Sequence, residues 1–535
     1  MKACLTEMNT MYDFEGMFLD MTFFPEVCYC ASCRERYKKE TGKELPRKID
    51  WKDPDWLDFV YRRDLWMAEY ANFATACVKA VKPNVTIEHQ FSRITGGWVD
   101  GSSELLTEAI DYCGGDYYGG FLQQTFINKY YKNVSPNLPF VYHTSRCDPE
   151  LAYHTTTKTE EELMLHVITA LVHNGAFLLV DAINPDGSIV PEVYHGLMKR
   201  IYAKTGLYEK YVSGKFHHNA AIWFATHAKY NPNENCEDMM QKKIHPDLYL
   251  DGPVAAASIM RENNIPFEVI GTKNIDGETA DVMILSHVAA IRDEEMDKIE
   301  SYVNRGGNLY ISGPVGHPRL QKLLGIEVTG RTEHQFTYMR PTEEGMAIFE
   351  GFGSLTPLTV PMAQMTAEIT DPEGITVLAT RVLPYTLTDT EDFAAIHSNP
   401  PGIYTDEPCV ILKDTGKGKL LWSAAPIEMS RPYMSRQVFT RMLQSLIGEM
   451  VYTSNAPKFV EVIGWEKDGS DYFAVINEQE ESPVVPMHDI YIDVKKPDKK
   501  AVLLPEGTEL QTEVLGDTLR IYLPKVEIFQ MIRLV

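Results

Sequence analysis

The residues best suited to chemistry stand near the start of the chain, in the stretch FEGMFLDMTFFPEVCYCASC from Phe14 to Cys33. A short apolar run, Met17 to Leu19, leads directly into the carboxylate of Asp20. A buried strand that ends on an acid is the way in which a β/α barrel presents a catalytic group at its C-terminal face. Asp20 is therefore the first candidate catalytic residue.

Three cysteines follow Asp20 with the spacing C-x-C-x2-C: Cys28, Cys30 and Cys33. The N-terminal sequence lacks the apolar core of a signal peptide, and close-set cysteines in such a chain favour a metal over disulfides. Tetrahedral zinc takes four ligands, of which this loop supplies three thiolates. The spacing predicts a structural zinc site, with reduced thiols as the alternative. Cys4 is a poor fourth ligand because it lies within a predicted helix.

The composition of the 535-residue chain argues against several kinds of partner. Its formal net charge of -24 disfavours nucleic acids and anionic membrane surfaces, which bind basic patches. No run of about 18 or more apolar residues occurs, so no membrane span is predicted. We expect a cytoplasmic protein with an uncharged substrate, such as a sugar, and without nucleic-acid or membrane partners.

Five predicted strands alternate with helices between residues 13 and about 212. Such alternation indicates a parallel sheet with crossover helices. A TIM barrel has eight such units, so we expect a (β/α)8 TIM-type barrel that lacks its first three strands, as in a partial gene product. A smaller open sheet is the alternative. The predicted strands end on polar or acidic residues: Asp20, Glu88, Asp116, His143 and Asp181.

The rest of the chain has two further patterns. From about Phe216, strands and helices alternate again, which predicts a doubly wound, flavodoxin-like α/β domain. This part has no GxGxxG and no Walker motif, so no nucleotide is expected. From about Pro457 onward, short alternating runs predict a small antiparallel β-sandwich. The predicted domains are therefore the barrel at 1–214, the flavodoxin-like domain at 215–452 and the β-sandwich at 453–535.

The order of these features resembles the β-galactosidases of glycoside hydrolase family 42. That family has a strand and a CYCxxC-type loop, then β/α units, a flavodoxin-like middle domain and a small β domain. Its Cys-rich loop binds zinc and its middle domain builds a trimer. The resemblance therefore implies zinc at Cys28, Cys30 and Cys33 and a homotrimer. Arg34 to Tyr37, directly after CYCASC, is similar to the point where that loop runs into its helix.

Two positions depart from family 42. That family has an Asn-Glu pair at the end of strand four, where this chain has Leu19-Asp20. It has a nucleophilic Glu on strand seven, where this chain has His143 to Arg146. An Asp at the end of strand four instead resembles the nucleophile position of α-L-fucosidases. The chain thus resembles the family 151 α-L-fucosidases and the hypothetical family 6-like glycosyl hydrolases, which carry a β-galactosidase-type trimerisation domain.

Retaining cleavage of a glycoside needs two carboxyl groups about 5 Å apart, a nucleophile and an acid/base. We assign the nucleophile to Asp20 and the acid/base to Glu88, at the end of the next strand. A surface-facing Glu88 is the alternative. Three other carboxyl groups are candidates for the acid/base: Asp116, which is the runner-up, and Asp148 and Glu150.

A set of polar and aromatic residues is predicted on the same strand-end loops. Sugar sites use such groups, because donors bind hydroxyls and an aromatic ring covers the C–H face. No cofactor is expected for catalysis. The predicted substrate-binding residues are His89, Trp98, Asp116, Tyr117, His143, Arg146, His154, Lys158 and Asp181.

Together these features predict an exo-acting, retaining α-L-fucosidase that works as a trimer on terminal fucose. The alternative enzyme is a β-galactosidase, which requires a Glu pair at the ends of strands four and seven; the sequence shows no such pair. The alternative outside enzymes is a non-catalytic carbohydrate-binding or remnant protein. An open barrel favours it, because unpaired edge strands must find other partners.

Overall fold

The computed structural model describes residues 1–230, 234–239, 248–388, 390–392 and 397–535. The chain divides into two compact units. Within the described ranges, no helix combines the length and the apolar composition that crossing a bilayer requires. Unit 1 consists of Met1–Phe216, Lys229–Asp247 and Ser454–Val535, and unit 2 of His217–Ala228 and Leu248–Thr453.

Unit 1 begins with five strands that alternate with helices, so the α/β class is confirmed. Its strands are β1 (Gly16–Leu19), β2 (Thr86–His89), β3 (Gly114–Asp116), β4 (Phe140–Ser145), β5 (Gly175–Val180) and the short β6 (Lys215–Phe216). Its helices are α1 (Lys2–Met11), α2 (Ala31–Thr41), α3 (Pro54–Lys79), α4 (Phe121–Val134), α5 (Glu160–Val172) and α6 (Lys199–Thr205).

Two helices of this part, α3 and α5, begin where the sequence provides caps. The Asp53 side chain accepts a hydrogen bond from the Asp55 N–H at the start of α3, and Pro54 opens the helix. The Thr159 side chain accepts from the Glu162 N–H at the start of α5. These caps fix where each helix leaves the preceding strand-end loop.

The strands β1 to β5 lie side by side in chain order and are parallel. β1 pairs with β2, β4 pairs with both β3 and β5, and a single bridge between Gln90 and Gly114 links the two groups. Within residues 1–216, all of which are described, β1 and β5 each have one neighbouring strand. The structure therefore shows five adjacent β/α units, and barrel closure is not seen among them.

Strand alternation separates the two faces of this sheet. Ile87 and Tyr142 lie on the buried outer face, beneath the helices. The inner face has few apolar neighbours, since Phe18 is 44% exposed and Leu178 is 42% exposed. The register pairs Leu178 with His143, which places both on this inner face. The strand-end residue Asp20, which follows Phe18 on β1, is consequently exposed.

Unit 2 contains a nine-stranded sheet. Five parallel strands have the order β8-β7-β9-β10-β17, that of a flavodoxin-like fold, and antiparallel strands extend one edge. The strands of unit 2 are β7 (Ala220–Trp223), β8 (Phe267–Ile270), β9 (Val282–Ser286), β10 (Asn308–Ser312), β11 (Ile326–Arg331), β12 (Thr337–Pro341), β13 (Leu358–Val360), β14 (Met365–Ile369), β15 (Ile375–Pro384), β16 (Pro401–Asp414) and β17 (Lys419–Ser423). Of these, β11 and β14 form a separate two-stranded sheet. The helices of unit 2 are α7 (Leu248–Glu262), α8 (Asp293–Asn304), α9 (Pro318–Leu324) and α10 (Tyr433–Gln444).

The C-terminal part of unit 1 is all-β. Its two antiparallel sheets have the orders β18-β21-β25-β24 and β23-β22-β26-β20-β19-β6. The division into three domains stays a prediction, because the compact units group this part with residues 1–216. The strands are β18 (Thr453–Ser454), β19 (Val460–Lys467), β20 (Ser470–Asn477), β21 (Met487–Val494), β22 (Ala501–Leu504), β23 (Thr508–Glu509), β24 (Thr512–Leu515), β25 (Thr518–Val526) and β26 (Phe529–Leu534).

Acidic residues of this all-β part anchor α4. Glu480 accepts a hydrogen bond of 2.9 Å from the Phe121 N–H, at the first residue of α4. Glu461 accepts a hydrogen bond of 2.6 Å from the Thr125 hydroxyl. Its carboxylate also lies 3.2 Å from the ammonium of Lys129, and the ion pair between Glu461 and Lys129 is buried. A carboxylate at a helix N-terminus satisfies an otherwise unpaired N–H and faces the positive end of the helix dipole.

We expect Glu480→Ala to destabilise unit 1 by about 1 kcal/mol, the usual cost of losing an N-terminal cap. The measurements are urea unfolding and amide hydrogen exchange of the first turn of α4, which should become faster. Glu481→Ala is the matched control, since this neighbour of Glu480 makes no hydrogen bond to α4 among the described contacts. Equal exchange in both variants would show that Glu480 does not hold the helix end.

Candidate functional site

Three predicted site residues come together at the ends of β2, β3 and β4. The ring of His143 donates from Nδ1 to Asp116 Oδ1 over 3.0 Å. Its Nε2 lies 2.9 Å from Glu88 Oε1, an ion-pair distance without the geometry of a straight hydrogen bond. Glu88 and His143 are buried, and the Asp116 side chain is 21% exposed. We call these three residues the histidine bridge.

A glycine makes room for the bridge. Gly114 lies on β3 beside β2, and a Cβ at this position would overlap the Glu88 carboxylate. The register then pairs Asp116 with His143 on the neighbouring strand. The side chain missing from Gly114 therefore allows the Glu88 carboxylate to reach the ring.

The charges of the bridge support one another. Burial alone would lower the pKa of His143, but the carboxylates of Asp116 and Glu88 outweigh it and raise this pKa to about 9. Burial works to raise the pKa of Asp116, and the hydrogen bond from His143 outweighs it, so that pKa is lowered. At neutral pH the site therefore holds an imidazolium beside an ionised Asp116. The stability from His143 is fully present below about pH 6.5 and is lost as the pH rises through about 9.

Asp20 follows β1 at the exposed mouth of the same face. Its Oδ1 accepts 2.7 Å from the Met21 N–H. The Tyr118 hydroxyl donates a hydrogen bond of 3.1 Å to Asp116 Oδ2, and the Gln90 amide donates one of 3.2 Å to the same oxygen. Partial burial, then Asp116 and then Asp20, raises the pKa of Tyr118. The Asp20 carboxylate is thus close enough to Tyr118 to influence the pKa of its hydroxyl.

A second polar group stands at the ends of β4 and β5. The buried guanidinium of Arg146 donates 2.7 Å to Asp181 Oδ1. The Tyr194 hydroxyl donates 2.7 Å to the other oxygen of Asp181. The remaining Arg146 donors hold the loop at 146–158 and bind the Thr156 carbonyl, the Thr157 hydroxyl and the His154 carbonyl. Arg146 and Asp181 thus shape the rim, and their side chains make these hydrogen bonds to other groups of the protein.

The other predicted residues of this loop also have protein partners. Lys158 is buried and its Nζ lies 2.9 Å from Glu162 Oε1. His154 Nε2 lies 3.2 Å from Asn184 Oδ1. Asp148 and Glu150 are exposed. No predicted residue of this loop is hydrogen-bonded to the bridge in the described contacts.

His89 is not brought to the bridge. Its ring nitrogens lie 3.0 Å from the hydroxyls of Thr22 and Thr75, on the outer face of the sheet. Burial lowers the pKa of this ring to about 4. The reason is strand alternation, since Glu88 faces inward and its neighbour must face the helices. His89 is consequently part of the packing between β2 and α3.

Two predicted aromatic residues lie in the interior instead of on the rim. Trp98 packs edge-to-face with Trp51 and Trp56 and donates 3.0 Å to Glu234 Oε2. The Tyr117 ring stacks on Tyr142 with centroids 5.7 Å apart. Both rings are buried, so neither presents a free face to a sugar.

Three residues of the site were missed by the sequence reasoning: Phe18, Gln90 and Tyr118. The Phe18 ring packs edge-on against His143, with centroids 5.6 Å apart. Alternation could have identified Tyr118, because a residue two positions after the inward Asp116 faces inward too. Tyr118 is 41% exposed and is the aromatic residue next to the acids.

The three predicted metal ligands form a separate cluster. The Sγ atoms of Cys28, Cys30 and Cys33 all lie within 4.8 Å of one another. The Cys30 and Cys33 sulfurs are 3.6 Å apart, at the start of α2. Tetrahedral zinc with Zn–S bonds of about 2.3 Å needs sulfurs roughly 3.8 Å apart. These residues therefore fit three corners of a zinc site, and no fourth His, Cys, Asp or Glu joins them among the described residues.

We expect Gly114→Ala to destabilise the protein by about 1–3 kcal/mol, because the new methyl group displaces the Glu88 carboxylate from His143. Gly97→Ala is the matched control, since nothing lies within 4 Å of its added Cβ. Urea unfolding at pH 7 compares the two. Equal stability of both variants would contradict the tight contact at Gly114.

No protein-family model matches the sequence, and no curated protein is significantly similar to it. Solved structures do share its fold. An α-L-fucosidase isoenzyme 2 from Paenibacillus thiaminolyticus aligns with a TM-score of 0.74 and 17% identity, over 100% of this chain and 79% of that chain. A β-galactosidase from Bacillus circulans sp. alkalophilus aligns with a TM-score of 0.69 and 12% identity, over 100% and 82%. A β-galactosidase from Rahnella sp. R3 aligns with a TM-score of 0.68 and 13% identity, over 99% and 80%.

At these identities the likeness concerns the fold. The chain has an α/β fold similar to that of glycoside hydrolases, among them an α-L-fucosidase and β-galactosidases.

Proposed function

We propose that the protein is a retaining glycoside hydrolase that acts on terminal α-L-fucose. The observation that carries the proposal is the pair of acids Glu88 and Asp116 at the two nitrogens of the His143 ring, with the exposed Asp20 directly after the neighbouring strand β1. In β/α folds this is the face that performs catalysis. Likeness in fold to an α-L-fucosidase supports the choice of sugar.

Each acid has a role that follows from its surroundings. Asp20 is exposed and attacks the anomeric carbon as the nucleophile. Glu88 protonates the leaving oxygen and then activates the water that releases the sugar. Asp116 is held ionised by His143 and accepts a hydrogen bond from a sugar hydroxyl.

The charges of the rim favour an uncharged glycoside. Arg146 is paired with Asp181, and Lys158 with Glu162. These two cations are therefore neutralised by the protein and give no attraction to an anionic sugar. The acids of the site would repel one.

β-Galactosidase activity is the second candidate. It is favoured by the likeness in fold to two β-galactosidases. Against it stands the acid at the end of β1, which is Asp20 and not a glutamate. Non-catalytic sugar binding is the third candidate, and the exposed inner face at Phe18 and Leu178 favours it.

We further propose that Cys28, Cys30 and Cys33 hold a structural zinc ion, because their sulfurs are close enough to share one. When bound, the metal would tie the loop after β1 to the start of α2. A trimer built through unit 2 and a cytoplasmic location complete the proposal. The trimer rests on the resemblance in sequence order, and the location rests on nine cysteines without a repeating disulfide framework.

We expect the purified protein to hydrolyse an aryl α-L-fucoside, and Asp20→Asn to lower kcat/KM by at least about 10³-fold, as for loss of a nucleophile. Asp13→Asn is the matched control, because Asp13 is fully exposed. Azide should restore turnover of Asp20→Asn and give a product of inverted configuration. Initial rates on a panel of aryl glycosides test this.

Activity on the β-galactoside alone would replace the fucosidase assignment by the second candidate. Binding of fucose without turnover of any glycoside would favour the third. Unchanged activity of Asp20→Asn on the fucoside would remove Asp20 from the reaction.

We expect the protein purified under reducing conditions with zinc to hold one zinc ion per chain, and Cys30→Ser to lower this stoichiometry sharply. Elemental analysis after dialysis measures it. Cys4→Ser, an exposed cysteine on α1, is the matched control. Equal zinc content in Cys30→Ser and wild type would place the metal elsewhere.

A further inference from the structure

The sequence suggested His143 as a donor to the substrate, and the structure gives its ring a different task. The ring is buried, and its two nitrogens face carboxylates on two different strands. The Nδ1–H donates a hydrogen bond of 3.0 Å to Asp116, and Nε2 lies 2.9 Å from Glu88. Neither N–H is left to meet a sugar.

The groups around this ring come from β1, β2, β3 and β5, and on β5 the register partner of His143 is the apolar Leu178. β1 contributes the edge of Phe18, which is apolar. β2 contributes Glu88 and β3 contributes Asp116, and these are the charged side chains in contact with the ring. The Tyr118 hydroxyl lies on the far side of Asp116, to which it donates. The ring therefore sits between two carboxyl groups, with apolar cover on a third side.

We propose that His143 is the resident cation of this site: a positioning residue that stays protonated while the enzyme works, fixes the Asp116 carboxylate, and faces the negative charge that Glu88 acquires. This inference rests on the proposed function for the role of Glu88. It assigns to the ring an electrostatic task, without contact to the substrate.

The proton balance of both steps is consistent with this task. In the form that reacts, Glu88 carries a proton and Asp116 is the carboxylate that faces the ring. In the first step, an Asp20 oxygen bonds to the anomeric carbon, the bond to the leaving oxygen breaks, and Glu88 gives its proton to that oxygen. Glu88 is then a carboxylate beside the imidazolium. In the second step, a water oxygen bonds to the same carbon, the bond to Asp20 breaks, and the water proton returns to Glu88. His143 begins and ends protonated.

Two buried histidines, one on β2 and one on β4, isolate the cause. His89 and His143 are both buried, so burial acts on both rings in the same direction. The pKa of His89, whose neighbours are hydroxyls, is lowered to about 4, whereas that of His143 is raised to about 9. The two carboxylates make this difference, and they are what keeps the ring charged.

The test is the protonation of the ring in the intact chain. Protein labelled with ¹⁵N only in histidine gives ring correlations that distinguish an imidazolium from a neutral ring, and the signal lost in His143→Gln identifies His143. We expect an imidazolium at pH 7 that loses its proton near pH 9. Asp116→Asn and Glu88→Gln should each lower this midpoint, and the neutral ring of His89 serves as the internal control.

A neutral His143 at pH 7 would overturn the proposal, as would a midpoint that neither variant moves. This readout needs no substrate. If the ring titrates as expected and no glycoside is hydrolysed, the inference about the cation stands and the proposed function fails. If glycosides are hydrolysed and the ring is neutral at pH 7, the function stands and this inference fails.

Kinetics provide the second readout. We expect the alkaline limb of kcat/KM near pH 9 to be absent in His143→Gln, because a glutamine does not titrate.

The double variant Glu88→Gln/Asp116→Asn removes both acids that face the ring, and in it the ring should titrate well below pH 9 even if activity is lost. An alkaline limb that persists unchanged in folded His143→Gln would assign the limb to another group and overturn the kinetic role.

Discussion

One buried imidazolium between two carboxylates holds this site together. Without the charge on His143, Glu88 and Asp116 would bring two acids together at the ends of neighbouring strands, and one would have to take up a proton. The ring also sets steric requirements around itself. Gly114 must lack a side chain, and the register of β3 and β4 must pair Asp116 with His143. The local backbone of three strands is thus constrained by a single ionic contact.

The sequence predicted much of this site because parallel strands end at the same edge. Asp20, Glu88, Asp116 and His143 were all found from the rule that polar residues at strand ends meet, and the structure brings them to one face. The rule has no information on which face a residue occupies within a strand. The rule therefore places His89 and Tyr117 among the site residues although they face the helices, and it omits Tyr118 although that residue faces the acids.

Partners distant in sequence could not be predicted in this way. Arg146 and Asp181 are both predicted to bind substrate, but they pair with each other and hold a loop in place. Trp98 is held by Glu234, a residue 136 positions later. Local patterns give the type of an element and its ends, but such long-range contacts decide whether a polar or aromatic residue remains available to a ligand.

The anchoring of α4 by acids of the C-terminal part has a consequence for the newly made chain. Thr125 and its partner Glu461 are separated by 336 residues. At about 5–20 residues per second, synthesis delivers Glu461 roughly 15–70 s after α4. During that interval Lys129 has no counter-ion from Glu461, and the first turn of α4 has no cap from Glu480. The nascent β/α units therefore lack these contacts until the last strands have been made, and α4 must be held during this interval by the contacts within residues 1–216.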